Sequence, residues 1–338
     1  MTAPRFYVLL DTNSIVYRNP LLRNPLGASL LNCVQHAGGK LAIPEIVRIE
    51  IEKQANQFAL ENVRRANKAL EKIEAVVGYR DQVPLPTPQQ IEKAIQERLA
   101  ELSELTESTP LKPEHLKAAL DRLLEEKPPN GPRNQQFKDS LIWESILEMS
   151  REAPVHFVTQ DKDFYEKHAY NNGLAVVLQS EIEEQGGEVH AYVELADALE
   201  VLQMGLPGFD PSQFAGPVSI PVLFQLRSFA ADFDVEVGLQ SDFTARAFVT
   251  ENPKRLALEF VLKHTGVRST VEGEATVSCV ARGDCLVDAE TGDVTTVKLD
   301  ELRLIDADGN EVAGTVYASA HVHLGGPQRV PYSIRYPI

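Results

Sequence analysis

The apolar pattern changes its period once along this chain, near residue 205, and that change limits what the chain can fold into. Upstream, short apolar runs alternate with long amphipathic stretches. FYVLL (6–10), LAIP (41–44), PVHFVTQD (154–161) and GLAVVL (173–178) read as buried strands. A further strand opens VHAYVELADALEVL (189–202), which closes as a helix. Helices are expected over 27–37, 45–77, 89–107, 113–127 and 139–152. This alternation makes an α/β domain with a mostly parallel sheet. The block at about 55–130 carries no strand pattern and reads as a helical insertion projecting from that sheet. Downstream, VSIPVLFQL, DVEVGLQSDF, ALEFVLKHT, STVEGEATVSCVA and EVAGTVYASAHVHL read as strands without helices between them. That is an all-β module, a sandwich or a barrel. GLPGFDPSQFAGP (205–217), with three glycines and three prolines, is the expected linker. The expected division is therefore an α/β domain over 1–204, the linker, and an all-β domain over 218–338.

Acidic residues fall at particular places in the first domain. Asp11 directly follows the first strand, Asp161 follows VHFVTQ, and Asp163 comes two residues later. Asp139 opens a helix, and Glu50 lies early in a helix, six residues past Pro44. The carboxyl ends of parallel strands line one crevice, and helices that follow strands start on the same edge. These five acids are expected to converge there. Carboxylates that close repel one another unless a cation neutralises them. Hard oxygen ligands select Mg²⁺ or Mn²⁺. Such an ion can activate water and steady charge on a phosphoryl group, which is metal-dependent phosphodiester hydrolysis. Each acid also has a local reading. A strand-end Asp is often a turn former or helix cap, Asp139 suits an N-cap or first helical position, and Glu50 could be a solvated helix residue. Five acids in this order are harder to explain by turns alone.

The four blocks VLLDTN (8–13), IPEIVRIE (43–50), KDSLIWESI (138–146) and FVTQDKDF (157–164) together resemble the PIN-domain nucleases. The resemblance covers roughly residues 5–180. With its insertion and C-terminal extension, the chain looks more like the larger bacterial PIN-like proteins than the compact toxins. The resemblance implies a PIN-like parallel sheet flanked by helices and a Mg²⁺- or Mn²⁺-dependent ribonuclease, an endonuclease on single-stranded RNA. It implies Asp11, Glu50, Asp139 and Asp161 as catalytic, metal-binding acids, with Asp163 as an additional metal-site acid. Thr12 or Asn13 would orient the site, and Thr159 would bond near Asp11 or the substrate. RNA comes from the resemblance alone. The main alternative is a PIN-like module that binds RNA or a protein without cleaving. A haloacid-dehalogenase-like phosphatase is a weaker one, because it needs an Asp where this chain has Asn13. A metal-dependent adhesion module fails on Asp11-Thr12-Asn13-Ser14-Ile15.

The net charge of −16 bears on any nucleic-acid partner, because phosphate contacts need Lys and Arg. By segment it is +2 over 1–54, −2 over 55–130, −10 over 131–214 and −6 over 215–338. The near-neutral N-terminal part is therefore where a backbone could bind. Arg64, Lys68 and Lys72 share one helix face, and Arg18, Arg23 and Arg133 lie in loops near the expected crevice. The bland reading of the helix basics is pairing with Glu61 and Glu71. Trp143 and His156 read as core residues, and His321 and His323 lack a third metal ligand. The β module suits a protein partner or self-association through edge strands. Cys33, Cys279 and Cys285 are too scattered for a disulfide framework or zinc site. No apolar run reaches the ~18 residues of a membrane helix, and the N-terminus lacks a signal-peptide pattern. A cytoplasmic protein without a membrane partner is expected.

Overall fold

Five short strands build the first sheet of the computed structural model, which describes residues 4–78, 84–132, 134–202, 204, 206, 209–270 and 273–323. They are β1 (Tyr7–Leu10), β2 (Lys40–Ala42), β3 (Thr106–Glu107), β4 (Val155–Val158) and β5 (Val189–Tyr192), all parallel, in the order β3-β2-β1-β4-β5. Every residue of β1 and β4 is buried, as required when helices cover both faces of a parallel sheet. The helices are α1 (Pro25–Ala37), α2 (Glu45–Val77), α3 (Pro88–Leu102), α4 (Pro113–Leu124), α5 (Phe137–Ser150), α6 (Val176–Gln185) and α7 (Leu195–Val201). The chain steps outward from β1 to β2 and β3, then returns to place β4 on the other side of β1. Such a reversal leaves a crevice outside the strand ends. Leu10 pairs with Val158, and the Asp11 N–H donates to the Val158 carbonyl at 3.1 Å, carrying the pairing one residue past the strands.

Only Val47, Glu50, Ile51 and Ala55 of α2 are buried. Its remaining turns project, since 33 residues at 1.5 Å each span about 50 Å. Helix α3 packs beside it through Ile91 and Ile95, and starts at a capping box formed by Thr87 and Gln90. Two expectations for this half are corrected. The helical block is not free of strands, because β3 adds Thr106 and Glu107 to the edge of β2. Two residues are too few to show an alternation. GLAVVL is not a strand. Its end begins α6, where Leu178 and Ile182, four apart, are buried while Val176 is 60% exposed. A short apolar run fits either period, and here the helical one wins.

Compactness divides the chain into two units. The first takes the chain up to Val16 and Cys33–Ala198, and the second takes Tyr17–Asn32 and the chain from Leu199 onward. In the second unit, helix α8 (Ala215–Ala231) covers a five-stranded antiparallel sheet: β6 (Val235–Val249), β7 (Arg255–Thr270), β8 (Gly273–Asp288), β9 (Val294–Asp306) and β10 (Glu311–His323). Each strand pairs with the next in sequence.

The expected strand VSIPVLFQL is corrected to α8. Val218, Val222, Leu226 and Ala230 recur every four residues and are buried, which is a helical stripe despite Pro221. The second layer over the described sheet is thus a helix, not the second sheet of a sandwich. Leu206, Phe209 and Phe214, from the expected linker, join this core. Strand β9 escaped sequence reading because Lys298, Asp300 and Glu301 interrupt its apolar run.

Register shifts by one between Arg282 and Gly283, where β8 crowds β9. A Cβ on Gly283 would stand 2.0 Å from the Lys298 carbonyl oxygen. Gly283→Ala is expected to lower stability by about 2 kcal/mol or more, because backbone must part. Urea unfolding reads this as a lower midpoint at unchanged slope.

Candidate active site

The crevice beyond β1 and β4 is a cleft of about 530 Å³ lined by residues that include Asp11, Thr12, Asn13, Glu50, Asp139 and Asp161. Four separate parts of the chain bring them there. Asp11 sits just past β1 and caps the short π-helix Ser14–Arg18, whose Ser14 N–H donates to Asp11 Oδ1 at 2.6 Å. The other oxygen, Oδ2, accepts from the Thr159 hydroxyl at 2.6 Å. Thr159 Oγ1 in turn accepts from the Asp161 N–H at 3.0 Å, so one threonine past β4 links the two aspartates. Glu50 faces inward from the second turn of α2, and its Oε2 accepts from Thr12 Oγ1 at 2.9 Å. Lys138 places its ammonium on Glu50 Oε1.

Asp139 lies in the first turn of α5, next to Lys138, but does not cap that helix: the N-cap is Gln136. Its carboxylate has no hydrogen-bond or ion-pair partner among the described residues. Burial, then the charges of Asp161, Glu50 and Asp11, push this carboxyl up to about 7, and Lys138 opposes them. Burial also holds Asp11 above the ordinary carboxylate range, while the bonds from Ser14 and Thr159 pull it back. Asp161 is raised by burial too, with Asp163 and Asp11 adding to the effect and the Asp163 N–H bond opposing it.

The other sequence candidates fall elsewhere. Asp163 does not line the cleft. It accepts from Asn134 and from Gln136 at 3.2 Å, and pairs with His168 at 3.0 Å. Arg64, Lys68 and Lys72 lie on the exposed, projecting part of α2, and Arg64 and Arg65 both pair with Glu61, at 3.9 and 3.1 Å. Arg18 groups with the second unit. Arg133 lies outside the described residues, as do the side chains of His321 and His323. Trp143 is buried and donates to Glu181 at 2.8 Å, and His156 is buried against Tyr192 at 3.0 Å. All three cysteines are free and buried.

Sequence reasoning missed Lys138, Gln54 and Gln136 in the cleft lining. Lys138 had a signal: it immediately precedes the third acid. Among the described residues no three His, Cys, Asp or Glu side chains form a ready-made metal-binding group. None of the described helices is long and apolar enough to cross a membrane.

The family model of the PIN domain matches residues 8–164. No curated protein and no solved structure matches the chain. PIN domains are generally nucleases and bind nucleic acid. The matched span holds β2 to β4, all of β1 but its first residue, and all four cleft carboxylates, so sequence pattern and sheet topology agree: residues 8–164 of this chain match the PIN domain.

Proposed function

We propose that this protein is a Mg²⁺- or Mn²⁺-dependent ribonuclease, cutting single-stranded RNA internally at the cleft of Asp11, Glu50, Asp139 and Asp161. One observation carries the reading. Asp139 is an unpartnered carboxylate set among three others and pushed up to about 7, an arrangement that costs stability and has no local structural use. The match of residues 8–164 to the PIN domain supports hydrolysis of phosphodiesters, and RNA rests on the resemblance.

The donor set fits a hard divalent cation: four carboxylates and no sulfur or imidazole on one cleft. Asp11, Glu50, Asp139 and Asp161 would hold it. When bound, such an ion supplies an activated water and positive charge beside the phosphoryl oxygens. The chain's own residues do the rest. Thr159 and the Ser14 N–H fix the Asp11 carboxylate, and Thr12 fixes Glu50. Lys138 balances the acids and would meet a phosphate at the lip of the cleft. Arg64, Lys68 and Lys72 on α2, with Arg18 and Arg133, would hold the backbone. We also propose a protein partner or self-association for the β-rich unit and a cytoplasmic site of action.

A non-cleaving reading draws on the ammonium of Lys138, which already neutralises Glu50. An assay of mixed single-stranded RNA and DNA with Mn²⁺, with and without EDTA, separates the two. The nuclease reading expects RNA fragments that vanish with EDTA. Intact RNA at all metal concentrations would sink it.

A further inference from the structure

Gln54 stands on the inward face of α2, one turn past Glu50, and lines the cleft. Val47, Glu50, Ile51 and Ala55 are the buried residues of that face, and Gln54 falls among them at the same helical spacing. Every residue lining the cleft belongs to the first compact unit. The side-chain oxygen of Gln54, Oε1, is screened from solvent, yet among the described residues no donor meets it. A screened acceptor left unmet costs stability, and a methionine could fill the same place without that cost. Gln136, another amide of the cleft, is the contrast: its Nε2 donates to Asp163 at 3.2 Å.

The chemistry of a nucleic-acid strand says what could meet this oxygen. Its backbone offers acceptors, the phosphate and sugar-ring oxygens, and these suit Lys138 and a cation held by the carboxylates. The ribose 2′-hydroxyl is the backbone's one donor, and it is the group by which a protein tells RNA from DNA. Position favours the sugar over a base. Glu50 would hold the cation at the phosphate, and Gln54 lies four residues on, about 6 Å along the helix. A sugar is bonded directly to that phosphate, whereas a base hangs further out. Rotation about the last side-chain bond of Gln54 turns Oε1 toward the cleft and breaks no bond at that oxygen.

We propose that Gln54 is a specificity-determining residue for RNA: its amide oxygen accepts from the 2′-hydroxyl of the nucleotide beside the scissile phosphate. The inference rests on the nuclease reading above, and gives RNA a physical cause within the cleft. The hydroxyl is a recognition group here, since the attacking oxygen comes from water.

The test uses the full chain with Mn²⁺ and one single-stranded sequence in two forms, RNA and 2′-fluoro RNA. Fluorine keeps a ribose-like sugar and removes the donor. Wild type should cut RNA with kcat/KM about thirtyfold above the 2′-fluoro form, because a site built around a hydroxyl rejects the analogue that lacks it. Gln54→Met keeps the volume and removes the acceptor. It should bring that ratio to about threefold or less through slower cleavage of RNA. It should also melt at or above wild type, since the unmet oxygen is gone. If methionine does not fit, Gln54→Ala repeats the comparison, alanine being well suited to a helix interior.

A wild-type ratio near one overturns the proposal, and so does a ratio that survives in the variant. A Gln54 that instead donates to phosphate gives the second result, because both forms then lose equally. A wild type that cuts neither form defeats the nuclease reading, and equilibrium binding of the same two oligonucleotides in Mn²⁺ then decides the proposal. Wild type should bind RNA about tenfold more tightly than the 2′-fluoro form, and Gln54→Met should bind both alike. Equal binding by wild type, or none, overturns it.

Discussion

Asp11→Asn is expected to lower RNA cleavage by about a thousandfold or more while the protein stays folded. The activity loss follows from the place of Asp11 at the end of β1, on the floor of the cleft. Removing its charge takes away an anionic donor worth several kcal/mol to a bound cation, and about 4 kcal/mol is a factor of a thousand. The fold survives for a local reason. Asp11 accepts from Ser14 N–H and from Thr159 Oγ1. An asparagine keeps one of these acceptors and turns an N–H₂ toward the other donor. That loss is about 1 kcal/mol. It is offset by relief of a buried carboxylate that burial already disfavours. Thermal unfolding within a few degrees of wild type, together with single-turnover cleavage, checks both halves. Cleavage equal to wild type would remove Asp11 from the chemistry.

Asp139→Asn is expected to abolish cleavage too, yet to stabilise the metal-free protein. Its carboxyl is raised to about 7 by burial and by three neighbouring carboxylates, against about 3.9 in an unfolded chain. The folded state thus holds a proton that the unfolded state has released. The associated stability is fully present below pH ~4 and is lost as pH rises through about 7. Metal-free wild type should therefore weaken between pH 5 and pH 8, by roughly 2 kcal/mol once water in the open cleft is allowed for. The asparagine variant lacks this contribution. At pH 8 in EDTA it should melt about 4–8 °C above wild type, and at pH 5 the two should converge. Adding Mn²⁺ should reverse the order, because only wild type gains the full binding energy. A variant less stable than wild type at pH 8 would mean that Asp139 has a structural partner.

Much of the first unit was legible in the sequence because its signals are local. The apolar runs at β1 and β4 are continuous, the helix from Glu45 to Val77 has roughly helical apolar spacing, and the acids stand where strands end or helices begin. Strand ends and helix starts of a parallel sheet share an edge, so sequence order alone placed Asp11, Glu50, Asp139 and Asp161 in one crevice. The local reading of Asp139 as a helix cap fell once α5 was seen to begin two residues earlier. Asp163 was legible as an acid near the site but not as one turned to Gln136 and His168.

The failures have a common cause. GLAVVL and VSIPVLFQL are short apolar stretches whose period cannot be read, and neighbours decided both as helices. Strand β9 was missed because Lys298, buried and paired with Asp284 of β8, sits where an apolar residue was expected. Their further partners, the Arg18 carbonyl and Asn24, lie some 280 and 260 residues away in the chain.

The sequence by itself determined the α/β class of the first half, the strand-rich second half and the ordered set of acids, because periodicity and strand ends are properties of neighbouring residues. Only the tertiary structure decided that Lys138 balances Glu50, that Asp139 stands unpartnered, and that Tyr17–Asn32 groups with the β-rich unit. Those facts are charges and donors meeting across long stretches of chain, and no local pattern encodes which buried charge finds which partner.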